Sequence, residues 1–177
     1  SYNSAYNLAR RISTLDHISN GRAAWNIVAT NGDDVARNFG REHGLDHDAR
    51  YRRAHEFVEA VRALWDGWAD DAWVADRESG TYVDEKRIRA VDYTGEYVST
   101  AGPLPLPRSP QGHPVLVQAG SSPDGIGLAS RFADAVYTVQ PTIESAIAFR
   151  NTVREQAADW GRDPEAIRVL PGLITLV

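Results

Sequence analysis

The segment richest in interpretable chemistry is Gly120-Ser121-Ser122-Pro123. A glycine lets a backbone approach a ligand closely, and two serines add hydroxyl donors. Serine followed by proline is the pattern of an N-cap and a first helical position. A helix starting there offers unpaired N–H groups and a positive dipole end, which attract an anion. Together these features make a phosphate cradle. The competing reading is a well-capped helix after a strand, and spacing alone does not separate the two. No Gly-Lys-Ser/Thr follows, so this is not a P-loop. Gly-x-Ser-x-Gly is absent, which leaves Ala119 to Pro123 only a superficial likeness to a hydrolase elbow.

His47 and Tyr51 are four residues apart and so share a helical face. From the first turn of a helix both can reach a ligand, although a plain surface histidine fits the spacing as well. Asn26, on a strand beside Trp25, is a further candidate, since one of that pair must face inward. The other histidines are His17, His43, His55 and His113. His43 and His47 stand at i,i+4 near Asp46 and Asp48, but no third ligand is apparent, and no metal site is expected. No residue is singled out as catalytic.

These groups need elements to hold them. Leu8, Ile12 and Leu15 recur at helical spacing, with Arg10, Arg11 and Asp16 off that stripe, which predicts a helix over 5–18. Asn20-Gly21 ends it. Residues 23–30 form a short, mostly apolar strand of the kind buried on both faces. Residues 31–46 read as loop. A long helix over 47–66 carries the stripe Phe57, Val58, Val61, Leu64 and Trp65. Residues 67–113 hold Gly80, Gly95, Gly102, Gly112 and four prolines (Pro103, Pro105, Pro107, Pro110). This predicts an excursion with a strand or hairpin arm at Tyr93 to Ser99. Strands follow at 114–119 and 134–139, each leading to a helix capped by Ser122 or by Thr142. A last strand over 168–177 is broken by Pro171-Gly172. The tryptophans are expected mostly in packing roles.

Apolar strands alternating with amphipathic helices give an α/β fold with a parallel sheet and outer helices. Ligands in such folds bind at the C-terminal ends of strands. The candidates fall there: Thr30-Asn31 after the first strand, Gln118 to Ser122 after the second, Gln140-Pro141-Thr142 after the third. Four strands in 177 residues are about half of a closed eight-stranded barrel, which takes at least about 200 residues. The expectation is a single partial-barrel domain over 1–177 with the insertion 67–113.

The composition excludes several classes. Net charge is −5, a poor match to phosphate backbones, so bulk nucleic-acid binding is not expected. No run of about 18 apolar residues is present, and no signal-like basic-then-apolar start. There is no cysteine, which removes disulfides, thiolate metal sites and a cysteine nucleophile and fits a cytoplasmic protein. There is no methionine either, even at position 1, so the chain is expected to start at a processed or cut end.

Several segments, in order along nearly the whole chain, carry a resemblance. They include Tyr6 to Arg11, Leu15 to Arg22, Trp25 to Val28, His47 to Ala54, Pro105 to Gly112, Val117 to Ser122, Gln140 to Thr142 and Leu170 to Leu173. The sequence resembles the nitrilotriacetate monooxygenase family, which includes long-chain alkane and dibenzothiophene-sulfone monooxygenases, among the bacterial-luciferase-like flavin-dependent (β/α)8 barrels. The resemblance implies a partial TIM-type barrel belonging to a two-component monooxygenase. A separate flavin reductase would supply reduced FMN, which with O2 oxygenates a small organic substrate. Carried over by position, His47 and Tyr51 match flavin-site residues, as does the Ser121-Ser122 pair near the phosphate, and Asn26 is a weaker match; Gly120 joins them on its backbone-approach argument alone. The family chain is more than twice this length, so the first barrel strands and the end of the barrel are missing here. Ala29-Thr30 stands where many relatives have Thr-Ser. Homo-oligomerisation is expected to cover the open edges. The alternative is a non-catalytic half-barrel binding or oligomerisation module, and a third reading is an unrelated small α/β sugar- or phosphate-binding protein.

Overall fold

The computed structural model describes residues 2–173. In chain order the elements are α1 (Ala5–Ser19), β1 (Ala24–Ile27), α2 (Asp33–Arg37), α3 (His47–Trp65), β2 (Tyr93–Thr94), β3 (Ser99–Thr100), β4 (Val115–Gln118), α4 (Pro123–Phe132), β5 (Ala135–Thr138), α5 (Ile143–Asp159) and β6 (Arg168–Pro171). Single 3-10 turns occupy Glu85–Arg87 and Pro164–Ala166. The chain divides into two compact units: Ser1–Ala23 with Thr30–Pro114, and Ala24–Ala29 with Val115–Val177.

The second unit holds a four-stranded parallel sheet of order β1-β4-β5-β6. Residues 67–113 contribute no strand to it; they form the small β2-β3 antiparallel pair instead. The fold is therefore α/β, a partial TIM-type barrel with four parallel strands. Ala129, Ala133, Val136, Phe149, Val153, Ala157 and Ile167 form one buried cluster, with α4 and α5 covering one face of the sheet. Parallel strands need a crossover, and α4 and α5 supply it while burying that face.

The strands are shorter than expected and are covered on one face only. Trp25 and Ile27 are buried on β1 while Ala24 and Asn26 are exposed. Leu116 and Gln118 on β4, and Val136 and Thr138 on β5, continue the buried face. Val139, Tyr137 and Leu170 are exposed. An all-apolar run does not reveal which of its faces is covered, because side chains alternate along a strand. The final strand ends at Pro171, where proline removes a ladder donor. The expected strand residues 174–177 lie outside the described residues.

In the first unit, the expected stripe of α1 is corrected. Its buried residues are Ala5, Ala9, Ser13 and Asp16, whereas Leu15 is 52% exposed. Small residues at i,i+4 let α1 pack closely on α3, and Trp65 Nε1 donates to the Ala9 carbonyl at 3.2 Å. The α3 stripe is as expected, with Phe57, Val58, Val61, Leu64 and Trp65 all buried. Asn20 (φ 54°) and Gly21 (φ 79°) take the left-handed conformation and end α1. A short helix, α2, stands where loop was expected; Asp33 and Asp34 in its first turn favour it through the helix dipole.

Two polar anchors were not legible beforehand. Asp16, fully buried, accepts hydrogen bonds from the Ala23 N–H (3.2 Å), the Gln111 N–H (3.1 Å) and Gln111 Nε2 (2.6 Å). The Glu56 carboxylate accepts from the backbone N–H groups of Glu96 (3.1 Å), Tyr97 (2.7 Å) and Val98 (3.1 Å). Each satisfies turn N–H groups in the proline-rich segment that would otherwise be unpaired. Trp25, Trp65 and Trp68 are buried, as expected of most of the tryptophans; Trp73 and Trp160 are about half exposed (49% and 53%), Trp73 against Tyr82 within the insertion and Trp160 under Arg131.

Candidate functional site

In the second unit, the residues following β4 run directly into α4. Ser122 is the N-cap, and its hydroxyl accepts from the Gly125 N–H at 3.1 Å; Pro123 is the first helical residue. Ser121 is exposed and precedes the cap. A ten-residue helix with an exposed serine at its mouth presents donors and a positive dipole end together. All four strands are parallel, so the turns after β1, β4 and β5 lie on the same edge of the sheet. That edge is where ligands bind in parallel α/β folds.

Gly120 has a packing role that its type alone did not reveal. A Cβ there would lie 3.1 Å from the Gly125 Cα and 2.5 Å from Gln118 Nε2. The loop and the first turn of α4 therefore meet glycine to glycine. Gln118, buried at the end of β4, accepts from the Gly120 N–H through Oε1 at 2.6 Å and fixes the loop. Its signal in the sequence was an amide closing an otherwise apolar strand. The Gly120 N–H is thus engaged by the protein, and Ser121 with the capped end of α4 is left as the donor set.

Asn26 lies on the exposed face of β1, opposite Val117 of β4 in register. After β5, Gln140 Nε2 donates to Thr138 Oγ1 at 2.8 Å, and Thr142 with Ser145 caps α5 reciprocally. Beside them opens a cleft of about 490 Å³ lined mainly by Pro141, Ile143, Ile147, Pro171 and Leu173, with Thr138, Gln140, Thr142 and Arg150 as its polar groups.

His47 and Tyr51 belong to the first unit. Asp46 caps α3 by accepting from the Ala49 N–H at 2.8 Å, which places His47 first in the helix. The two rings meet, with centroids 5.0 Å apart and planes tilted by 49°. The His47 side chain is 50% exposed, and its Nδ1 lies 3.3 Å from Asp48 Oδ1. His43 pairs instead with Asp33 at 3.1 Å. Among the described residues no cluster of three metal-ligating side chains occurs, and no helix is long and apolar enough to cross a membrane.

A four-stranded parallel sheet with outer helices and a serine-capped helix at its C-terminal strand edge defines the class, an α/β partial barrel. The family described as luciferase-like monooxygenase matches residues 2–177, and the chain belongs to that family. It is 44% identical over 176 residues to nitrilotriacetate monooxygenase component A of Aminobacter aminovorans, covering 99% of this chain and 39% of that protein. The crystal structure of long-chain alkane monooxygenase superposes with a TM-score of 0.93 at 36% identity, covering 97% of this chain and 40% of that one. The structure of riboflavin lyase with modified FMN and substrate riboflavin gives a TM-score of 0.90 at 34% identity, over 96% of this chain and 38% of that one. The chain thus spans about 40% of the length of such relatives.

Proposed function

We propose that this chain is the phosphate-holding part of an FMN-dependent two-component monooxygenase. The observation that carries the reading is Ser121 exposed at the Ser122-capped N-terminus of α4, on the ligand edge of a parallel sheet. The family membership and the relative solved with FMN support it. The donor set fits a phosphate dianion: a hydroxyl, helix N–H groups and a dipole end, with no carboxylate among residues 118–123. Asp124 follows within the first turn.

When bound, reduced FMN supplies the reaction with O2 by which a small organic substrate is oxygenated. Ser121 and the start of α4 hold the phosphate and so fix the ligand's register. Gln118 keeps the loop shape through the Gly120 N–H. Within the second unit, Asn26 adds an amide on the open sheet face; within the first, His47 and Tyr51, which match flavin-site residues by resemblance, present an imidazole nitrogen and a phenol hydroxyl. The largely apolar cleft beside Pro141 and Ile143 offers a surface for apolar parts of a ligand. A separate reductase supplies reduced flavin, and self-association covers the exposed sheet edge.

The test is anaerobic titration of the full-length protein with reduced FMN, comparing Ser121→Ala with the unaltered protein. One hydrogen bond to a charged group is worth about 1.5–3 kcal/mol, so Kd should rise roughly tenfold to a hundredfold. Unchanged affinity would place the phosphate elsewhere. A full-length protein that binds no flavin and associates with itself would favour the non-catalytic half-barrel reading.

A further inference from the structure

Past the C-terminal end of α3, within the first unit, opens a pocket of about 520 Å³ with a charged lining. One wall is a short antiparallel pairing inside the segment 67–113. Trp68 stands opposite Ile88. The Ala69 N–H donates to the Arg87 carbonyl at 3.0 Å, and the Arg89 N–H donates to the Gly67 carbonyl at 2.9 Å. Alternate residues of a strand share a face, so Arg87 and Arg89 lie on one side, opposite Ala69 and Gly67. Those two carry at most a methyl group, which leaves space beside the arginines.

Lys86, Arg87, Arg89 and Arg108 line the pocket against two carboxylates, Asp66 and Asp70. Arg108 engages both carboxylates, at 2.8 Å to Asp66 and 3.1 Å to Asp70. Asp66 also meets His113 Nε2 at 2.8 Å. Arg87 is paired from outside the lining, with Asp71 at 2.8 Å and Asp84 at 3.5 Å. Among the described residues Lys86 and Arg89 have no ion-pair partner. Both are exposed, and both border the same cavity. An anion between them offsets the repulsion of two like charges.

We propose that this pocket binds a small organic oxyanion whose carboxylate or phosphate groups are held by Lys86 and Arg89. The guanidinium fork of Arg89 matches such a group in two parallel hydrogen bonds, and Lys86 adds a compact ammonium. Ligand pockets run from about 300 to 1,000 Å³, so this one takes a molecule of metabolite size rather than a bare ion. Its residues are not those proposed for the flavin. Asp66 follows the last turn of α3 and His47 opens the first, and the 19 residues between span roughly 28 Å of helix. Ser121 belongs to the other unit.

Lys86 is the single lysine among these 177 residues, so its acetylation reads this pocket and no other. The full-length protein is treated with acetic anhydride at rising concentrations of citrate or of pyrophosphate, and the Lys86 peptide is quantified by mass spectrometry. Sodium chloride at matched ionic strength is the reference. One or both anions should protect Lys86 well beyond chloride. Protection by citrate alone assigns a carboxylate ligand, by pyrophosphate alone a phosphate ligand, and by both the shared oxyanion chemistry. Arg89→Gln should raise the half-protecting concentration about tenfold or more, the loss expected of one charge-assisted bond. The Arg89 backbone, not its side chain, makes the pairing with Gly67, so this variant keeps its fold. Ser121→Ala should leave protection in place. The proposal is overturned by acetylation no slower than in chloride, by protection unchanged in Arg89→Gln, or by protection lost in Ser121→Ala.

Discussion

Gln111 Nε2 donates to Asp16 Oδ1 at 2.6 Å across 95 positions of sequence, and the same nitrogen donates to the Ala23 carbonyl at 2.8 Å. One amide therefore ties the end of α1, the entry to β1 and the proline-rich segment together. Asp16→Ala should strand these donors and cost about 2–4 kcal/mol, the sum expected for one or two unmet buried groups. Urea unfolding of the full-length protein measures it; a loss below about 1 kcal/mol would show that water replaces the carboxylate.

The same carboxylate sets an acid limit. Burial acts to raise the Asp16 pKa, but the Gln111 side chain and backbone and the Ala23 N–H outweigh it and hold it below the ordinary value. Asp66 behaves likewise: burial raises, and His113 with Arg108 lowers more. A lowered folded-state pKa contributes stability that is fully present above the unfolded value of about 3.9 and is lost as pH falls through the folded value. Melting temperatures recorded downward from about pH 5 should fall below about pH 4, and less steeply in Asp16→Asn. Identical slopes would assign the acid loss to other groups.

Glu56 holds the turn between β2 and β3 through three backbone N–H groups. Glu56→Ala should cost about 2–3 kcal/mol, since hydrogen bonds to a charged group are the stronger kind. Gly95→Ala should also destabilise, because its Cβ would overlap the Glu56 carboxylate. Combining the two changes should cost less than their sum, since Glu56→Ala removes the group that the added Cβ would strike. Additive losses would break the link.

Gly125→Ala places a Cβ 3.0 Å from the Gly120 Cα, a backbone atom that cannot turn aside. The expected cost is about 1–3 kcal/mol of stability, as for other overpacked sites. Reduced-FMN affinity should weaken with it, because the clash displaces the loop that carries Ser121. Unfolding and anaerobic titration on one preparation check both; loss of neither would mean that the loop yields freely.

His47 is half exposed and belongs to the first turn of α3. His47→Ala and Tyr51→Phe should each change stability by no more than about 0.5 kcal/mol, as surface substitutions do. Each should weaken reduced-FMN binding about tenfold, the worth of roughly one hydrogen bond. A variant that loses stability without losing affinity would make the pair a structural ring contact.

The sequence by itself determined the local features whose physics is complete within a few neighbouring residues. Ser122-Pro123 starts a helix because the cap and the fixed φ of proline act within one turn. Asn20-Gly21 ends one because both residues tolerate positive φ. The stripe from Phe57 to Trp65 marked the buried face of α3, and the alternation of strands and helices marked a parallel sheet. What the tertiary structure decided depends on partners far along the chain. Asp16 reads as a surface charge until Gln111 meets it, and α1 buries Ala5 and Ala9 rather than Leu15 because α3 comes close. Gly120 offers freedom in a sequence, but its packing against Gly125 and the grip of Gln118 on its N–H exist only once the loop folds back on the helix. Burial and hydrogen-bond satisfaction belong to pairs of groups, and a linear pattern names only one member of each pair.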